Sequence, residues 1–336
     1  MTLRGHLTFF QVWILTKENF LQALENGIIL FDGAMGTEIQ KLNPKSEDFP
    51  DGKDGFNDGL SFSKPEWIKE IHRSYLKAGS DCIETNTFGS NKIKLDEYGF
   101  GDKTVELNQK NAELARSVCD EFTDRQRFVV GSMGPTGYLP SSNDPDLGQK
   151  PLSEIRQAFE LQAEGLIQGG ADALLIETSQ DILEVKLAVE ASHAAMEKTG
   201  KKVAVISNVT LDQYGKMLLG TNVQSAYTTI SEMGIDIFGL NCSTGPIEME
   251  PSVQWLNDQK HKPLLIIPNA GMPENEGGQA VYKMTPEKMA SALDSFIKEY
   301  PQINIIGGCC GTNPDHIEQL RKVIDKQKKD WWDKYL

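Results

Sequence analysis

Three cysteines carry the chemistry of this sequence. Cys309 and Cys310 are adjacent, framed by Gly307, Gly308 and Gly311 at the end of an apolar run that begins at Ile303, and Cys242 ends a similar run that begins at Gly234. Neighbouring side chains of a regular strand point to opposite faces. One partner can therefore grip both sulfurs only where the backbone distorts, which the glycines permit. Three thiolates from two strand ends suggest a zinc site with its fourth position open, as a catalytic zinc requires. Packing is the competing account, because free cysteine suits a core, but it leaves the glycine framing without a purpose. A vicinal disulfide fits less well still. Cys82, early in its strand, and Cys119, on a helix, read as core residues.

Three thiolates leave a zinc centre formally anionic, hence a weak Lewis acid and a poor activator of water. Such a centre suits thiol activation: a thiol that joins the metal loses its proton at neutral pH, and its sulfur stays nucleophilic, as alkyl transfer to a thiol needs. A zinc hydrolase usually offers histidines and a nearby carboxylate base. Here none of His6, His72, His193, His261 and His316 falls in a His-x-His or His-Glu-x-x-His pattern.

Bringing these residues together requires strands whose ends converge. Eight apolar runs have strand length: 28–35, 81–88, 127–133, 171–178, 203–210, 235–242, 263–270 and 303–310. Segments of helical period lie between them, several opening on capping signals such as Ser63-Lys-Pro-Glu66 and Thr285 before Pro286. Strands that are apolar almost end to end and alternate with helices imply a parallel sheet covered on both faces. Eight repeats favour closure into a single (β/α)₈ TIM barrel of the α/β class. The alternative, an open doubly wound sheet, usually carries a Gly-x-Gly-x-x-Gly turn after its first strand, and Asp32-Gly-Ala-Met-Gly-Thr37 lacks that spacing. The predicted organisation is an N-terminal extension over 1–23, read as an amphipathic lead-in helix or an extended start, a barrel over 24–325 and a C-terminal tail over 326–336.

Nearly every run ends in a functional group: Asp32, Glu84 with Asn86, Ser132, Glu177, Asn208, Asn241 with Cys242, Asn269, and Cys309 with Cys310. In a barrel these carboxyl ends share one face, where active sites sit. Two long loops, about 40–63 and 137–152, are expected over that face. Asp51-Gly-Lys-Asp-Gly-Phe-Asn-Asp-Gly59 lacks the spacing and distal glutamate of a calcium loop.

The bulk numbers exclude other classes. A net charge of −14, with no basic block, argues against nucleic acid or an anionic membrane as partner. Five cysteines in 336 residues are no disulfide scaffold and point to a reducing cytoplasm. The apolar stretch 7–15 is interrupted by Gln11, lacks a small-residue cleavage site and is too short to span a bilayer.

An ordered set of strings resembles the zinc-dependent homocysteine S-methyltransferase family, above all the homocysteine-binding module of cobalamin-dependent methionine synthase. It comprises Asp32-Gly-Ala-Met-Gly-Thr37, Glu84-Thr-Asn-Thr-Phe88, Gly134-Pro-Thr136, Ile176-Glu-Thr178, Gly239-Leu-Asn-Cys-Ser-Thr-Gly-Pro246, Pro268-Asn-Ala-Gly271 and Gly307-Gly-Cys-Cys-Gly-Thr312. The resemblance implies a barrel in which Cys242, Cys309 and Cys310 bind zinc and form the catalytic centre, with L-homocysteine adding its sulfur as fourth ligand. It implies that Asn269 can hold that fourth place at rest. Glu177 and Asp32 would pair with the substrate ammonium, and the backbone N–H groups of Gly33, Ala34 and Met35 would hold its carboxylate.

The implied reaction is methionine formation by direct displacement. Cobalamin-dependent methionine synthases carry folate and corrinoid domains after this barrel, whereas this sequence ends in Lys328-Lys-Asp-Trp-Trp-Asp-Lys-Tyr-Leu336 without a corrinoid-binding Asp-x-His-x-x-Gly. The expected donor is therefore methylcobalamin or another methyl-corrinoid on a separate corrinoid protein. The alternative is a small onium donor, S-methylmethionine or betaine, in an aromatic cage to which Phe88, Tyr138 and Tyr282 could contribute. A zinc-binding or sensing protein without turnover is the third reading. Trp331-Trp332 reads as part of a C-terminal helix packed on the barrel, or else as a partner-binding peg.

Overall fold

Each of the eight apolar runs contributes one strand to a single parallel sheet. The computed structural model of the chain describes residues 20–277 and 279–335, so residues 1–19 of the N-terminal extension expected over 1–23 lie outside the described residues. The strands are β1 (Ile29–Leu30), β2 (Cys82–Glu84), β3 (Phe128–Met133), β4 (Ala173–Ser179), β5 (Ala204–Val209), β6 (Ile237–Asn241), β7 (Leu264–Ile267) and, after a separate antiparallel hairpin of β8 (Glu274–Glu276) and β9 (Gln279–Val281), β10 (Ile303–Ile306). Their order in the sheet is β1-β10-β7-β6-β5-β4-β3-β2. At the seam between β1 and β2, the Asp81 N–H donates to the Leu30 carbonyl (2.6 Å), and the Leu30 N–H donates to Asp81 Oδ2 (2.9 Å). The result is a nearly closed (β/α)₈ barrel.

A repeated device sets the strand starts. Gly79-Ser-Asp81, Gly170-Ala-Asp172 and Gly234-Ile-Asp236 each place a glycine of positive φ (107°, 92° and 81°) just before β2, β4 and β6. Each aspartate then accepts an N–H from the preceding strand: Leu30 on β1 (2.9 Å), Val129 on β3 (2.8 Å) and Val205 on β5 (2.9 Å). Only glycine reverses the chain there without a Cβ penalty, and the carboxylate satisfies a backbone donor at the sheet margin.

The barrel interior is apolar at its lower end. Ile29, Cys82, Val130, Leu175, Ile206, Leu265 and Ile305 form an inner cluster joined by Phe20 and Leu24. Those last two come from a helical turn at 20–25 that plugs the N-terminal mouth, where Phe20 meets Phe128 edge-to-face at 5.2 Å. Side chains alternate between faces with period two. Two residues beyond this layer the same inward face therefore carries Glu84, Ser132, Glu177 and Asn208, and further up Asn241, Asn269 and Cys309. The sequence period thus turns apolar strands into a polar upper layer.

Four features differ from the sequence expectation. The run 28–35 overshoots, because Met35 opens the helix Met35–Lys41. The loop 40–63 contains three single 3₁₀ turns and the short helix Leu60–Ser63. The β8–β9 hairpin was not anticipated; its strands, Glu-Asn-Glu and Gln-Ala-Val, are too short to carry an apolar pattern. The helix Pro314–Tyr335 runs across residue 325, the barrel boundary read from the sequence, while the side chains of 328–336, Trp331 and Trp332 included, lie outside the described residues. No helix among the described residues is long and apolar enough to cross a membrane.

Candidate active site

β6 ends at Asn241, and Cys242 and Ser243 then adopt left-handed backbone (φ 60° and 61°). Non-glycine residues there cost on the order of 1 kcal/mol each and persist only where surrounding structure over-determines them. That structure is a lacing of loops. The Cys242 N–H donates to the Ile267 carbonyl (3.2 Å), the Cys309 N–H to Pro268 (2.8 Å), the Ala270 N–H to Cys310 (3.0 Å) and the Asn269 N–H to Thr244 (3.0 Å). The predicted glycines make the approach possible: a Cβ on Gly307 would lie 2.7 Å from Phe31 Cβ, and one on Gly308 2.5 Å from Thr312 Oγ1.

The outcome is a thiol cluster. The sulfurs of Cys242, Cys309 and Cys310 all lie within 4.8 Å of one another, with Cys242 and Cys310 at 3.9 Å. All three are free thiols and half-buried. Hydrogen bonds from Cys242 and Cys309 hold the Cys310 thiol well below the usual range, and hydrogen bonding to Cys242 and Cys310, with burial, pushes Cys309 up. Of the three thiols, Cys310 is thus the one whose ionisation its neighbours favour. Asn269 is buried, and its Oδ1 has no hydrogen-bond partner among the described residues.

A carboxylate group faces the thiols. Glu177 Oε1 accepts from the Ser132 hydroxyl (2.5 Å) and Oε2 from Asn241 Nδ2 (3.1 Å). Burial pushes its carboxyl up to about 7. Glu84 is also raised, by burial first and then by the charges of Glu177 and Asp32. Asp32 accepts the Glu84 N–H on Oδ2 (3.0 Å), while Oδ1 is buried without a partner among the described residues; burial raises its carboxyl as well. Neighbouring acids oppose one another's ionisation, and a cation among them would favour it.

Cysteines and acids share one cavity of about 1010 Å³. Glu84 and Glu177 line it together with Ser132, Thr178, Cys242, Cys309, Cys310 and the segment from Gly33 to Thr37. Asp32 stands behind this wall, and Asn208 and Asn269 are likewise inward but not part of the lining. Of the three expected backbone amides, that of Ala34 is engaged by Thr312 Oγ1 (3.2 Å). Those of Met35 and Gly36 precede Glu38, whose N–H makes the first bond of the helix Met35–Lys41 to the Ala34 carbonyl (3.3 Å). N–H groups in a first helical turn have no intrahelical partner.

Asn57 and Asp58 bring the 40–63 loop to the cavity wall, as expected; no residue of 137–152 lines it. Tyr138, in that second loop, instead has the Lys150 ammonium 5.4 Å over its ring, whereas Phe88 and Tyr282 do line the cavity. Sequence reasoning put Glu84 at a strand end without giving it a role beside Glu177, and did not place Tyr282 next to the cysteines. For Glu84 the signal was present, two residues after the inward Cys82. For Tyr282 there was none, because it enters from the unanticipated hairpin; a Cβ on Gly311, at φ 78°, would fall 2.3 Å from it.

A further buried carboxylate bears on stability. Glu184 Oε1 accepts both the N–H (2.8 Å) and the hydroxyl (2.5 Å) of Thr136, and burial pushes its carboxyl up to about 7 from 4.5. Between those values the folded chain holds a proton that the unfolded chain has released. Its contribution to stability therefore declines as pH rises through that window. Glu184→Gln is expected to match the wild type near pH 5 and exceed it at pH 8 by up to roughly 3 kcal/mol. Denaturant titrations at the two pH values measure this; an equal difference at both would remove Glu184 from the pH dependence.

The family model described as homocysteine S-methyltransferase matches residues 29–324. The chain is 40% identical over 313 residues to the methionine synthase of Mycobacterium tuberculosis (strain ATCC 25618 / H37Rv), covering 93% of this chain and 26% of that protein. It is 40% identical over 308 residues to the methionine synthase of Mycobacterium leprae (strain TN), covering 91% and 25%. The chain thus spans about a quarter of the length of these relatives. The metallated form of the homocysteine methyltransferase MmuM from Escherichia coli superposes with a TM-score of 0.71 at 22% identity, covering 90% of this chain and 99% of that one, a likeness that supports the fold. The matched segment takes in all eight barrel strands and all three cysteines of the cluster, and the chain belongs to the homocysteine S-methyltransferase family.

Proposed function

We propose that this chain transfers a methyl group to the sulfur of L-homocysteine, forming methionine, with zinc held by Cys242, Cys309 and Cys310. The observation that carries the reading is the thiol cluster facing Glu84 and Glu177 across one cavity. Zn–S bonds of about 2.3 Å in a tetrahedron place sulfurs about 3.8 Å apart, and Cys242 and Cys310 stand at 3.9 Å. The buried, unpartnered Oδ1 of Asn269 suits a ligand for the fourth place. Zinc bound here would supply acidification of an entering thiol while leaving its sulfur nucleophilic.

The chain's own residues do the rest. Glu177, with Glu84 beside it and Asp32 behind, offers the negative charge that an α-ammonium needs. The free amides of the first turn at Met35 and Gly36 suit the α-carboxylate, in place of the engaged Ala34 amide. With both ends held, the substrate sulfur points to the cysteines, and the methyl group arrives in line from the open side. Positioning and exclusion of water provide much of the acceleration. All five cysteines are free thiols, which fits a reducing cytoplasm.

For the donor we favour a methylated corrinoid, methylcobalamin or a relative, presented by a separate corrinoid protein. Support comes from the 40% identity to methionine synthases and from a cavity far larger than an amino acid requires. An onium donor is the second reading, favoured by Phe88 and Tyr282 in the lining, although Tyr138 contributes nothing to such a cage. The test is methionine formation from homocysteine by zinc-loaded protein under reducing, anaerobic conditions with methylcobalamin, S-methylmethionine or betaine. Turnover with methylcobalamin alone is expected. Turnover with an onium compound alone would transfer the assignment to the second reading, and zinc binding without methionine from any donor would leave a zinc-binding or sensing protein.

A further inference from the structure

We propose that Asn241 is a positioning residue that sets the spacing between Glu177 and the Cys242 sulfur, and thereby selects a thiol two methylenes from its α-carbon over cysteine. The inference rests on the reading of homocysteine as substrate and goes beyond it by naming what measures the substrate's length.

The Asn241 side chain is buried and can sit only one way round. Its Oδ1 accepts the Thr178 backbone N–H (2.9 Å) and the Thr210 hydroxyl (3.4 Å), which also donates to the Asn241 carbonyl (3.0 Å). A backbone N–H is a donor only, so Nδ2 must take the other side. There it donates to Glu177 Oε2 (3.1 Å) and Thr178 Oγ1 (3.0 Å). One amide therefore ties the end of β4 to the end of β6 across β5, whose own end supplies Thr210.

Both tied ends are conformationally fixed. Thr178, next to Glu177, has φ 55°, and Cys242, next to Asn241, has φ 60°. Neither is glycine, so each left-handed residue depends on its surroundings to stay there. Ser132 holds the second oxygen of Glu177, leaving that carboxylate little freedom to follow a shorter or longer ligand. A rigid separation between the ammonium partner and the metal-side sulfur discriminates by chain length, and one methylene in a fitted site is worth roughly 10–200-fold.

The test is calorimetric binding of cysteine, homocysteine and the homologue one methylene longer to the zinc-loaded full chain, in wild type, Asn241→Asp and Asn241→Ala, with zinc content measured alongside. The wild type is expected to bind both neighbours at least about 10-fold more weakly than homocysteine. Asn241→Asp keeps the shape, loses the Nδ2 donor and is expected to retain one zinc while its homocysteine-to-cysteine ratio falls by about 10-fold. Asn241→Ala is expected to do the same or more. A folded, zinc-loaded variant with the wild-type ratio would overturn the proposal. So would a wild type that binds the three homologues about equally, which needs no variant to fold. A wild type that binds none of the three overturns the substrate reading itself, and so tells the two failures apart.

Discussion

Cys310→Ala is expected to lose zinc and methyl transfer together. Replacing a partner of a metal ligand already costs 10–100-fold in affinity or activity; removing one of three protein thiolates is expected to cost roughly a thousandfold or more in each. Cys310 is the sulfur whose thiol the other two hold below its usual range. Without it, Cys242 and Cys309 remain as a thiol pair lining a cavity that Glu84 and Glu177 also line. The fold has no reason to fail, because Cys310 is half-buried and its carbonyl, which takes the Ala270 N–H at 3.0 Å, is unaffected. Cys119→Ala is the control, a buried cysteine on the helix Thr104–Cys119 away from the cluster, expected to keep full zinc. Metal analysis with methionine formation measures both; a Cys310→Ala protein that is zinc-free yet makes methionine would falsify the metal's role.

What was legible in the sequence follows from what a strand repeats. Apolar runs of strand length mark all eight barrel strands because parallel strands are buried on both faces. The polar groups at their ends stand out against that background. The cysteine cluster was readable for the same reason: glycines beside Cys309 and Cys310 have a backbone meaning, and Gly307, Gly308 and Gly311 prove to be close-approach or positive-φ positions. Depth was not legible. Asp32 and Glu84 both end strands, yet Glu84 reaches the cavity and Asp32 stands behind it, holding the Glu84 N–H. That order depends on how neighbouring strands stagger as the barrel closes, which no single strand encodes. The commitment of the Ala34 amide to Thr312, 278 residues away in sequence, was equally out of reach. So was the Gly-x-Asp device before β2, β4 and β6, whose meaning appears only when each aspartate is seen on its neighbour's N–H.

Glu177→Gln is expected to raise the homocysteine KM by about 100-fold with zinc retained and kcat changed only a few-fold, a loss of 2–3 kcal/mol typical of a charged hydrogen bond. The substitution removes the anion that the substrate ammonium would meet. Asn241 can still donate to the glutamine oxygen, and the Ser132 hydroxyl can turn to accept from the glutamine nitrogen, so the hydrogen-bonded frame survives. Homocysteine and 4-mercaptobutanoate, which lacks the amino group, separate charge recognition from general damage. The wild type is expected to prefer homocysteine strongly, and Glu177→Gln to bind the two almost alike. Glu84→Gln is expected to show a weaker version of the same pattern. Asp32→Asn acts through the Glu84 N–H rather than at the cavity wall, and is expected to weaken both ligands together. If Glu177→Gln instead keeps the wild-type preference for the amine, the ammonium does not bind at this carboxylate and Glu177 serves the fold of the upper layer. The two outcomes differ in ligand dependence alone, so they can be distinguished even where the variants lose stability.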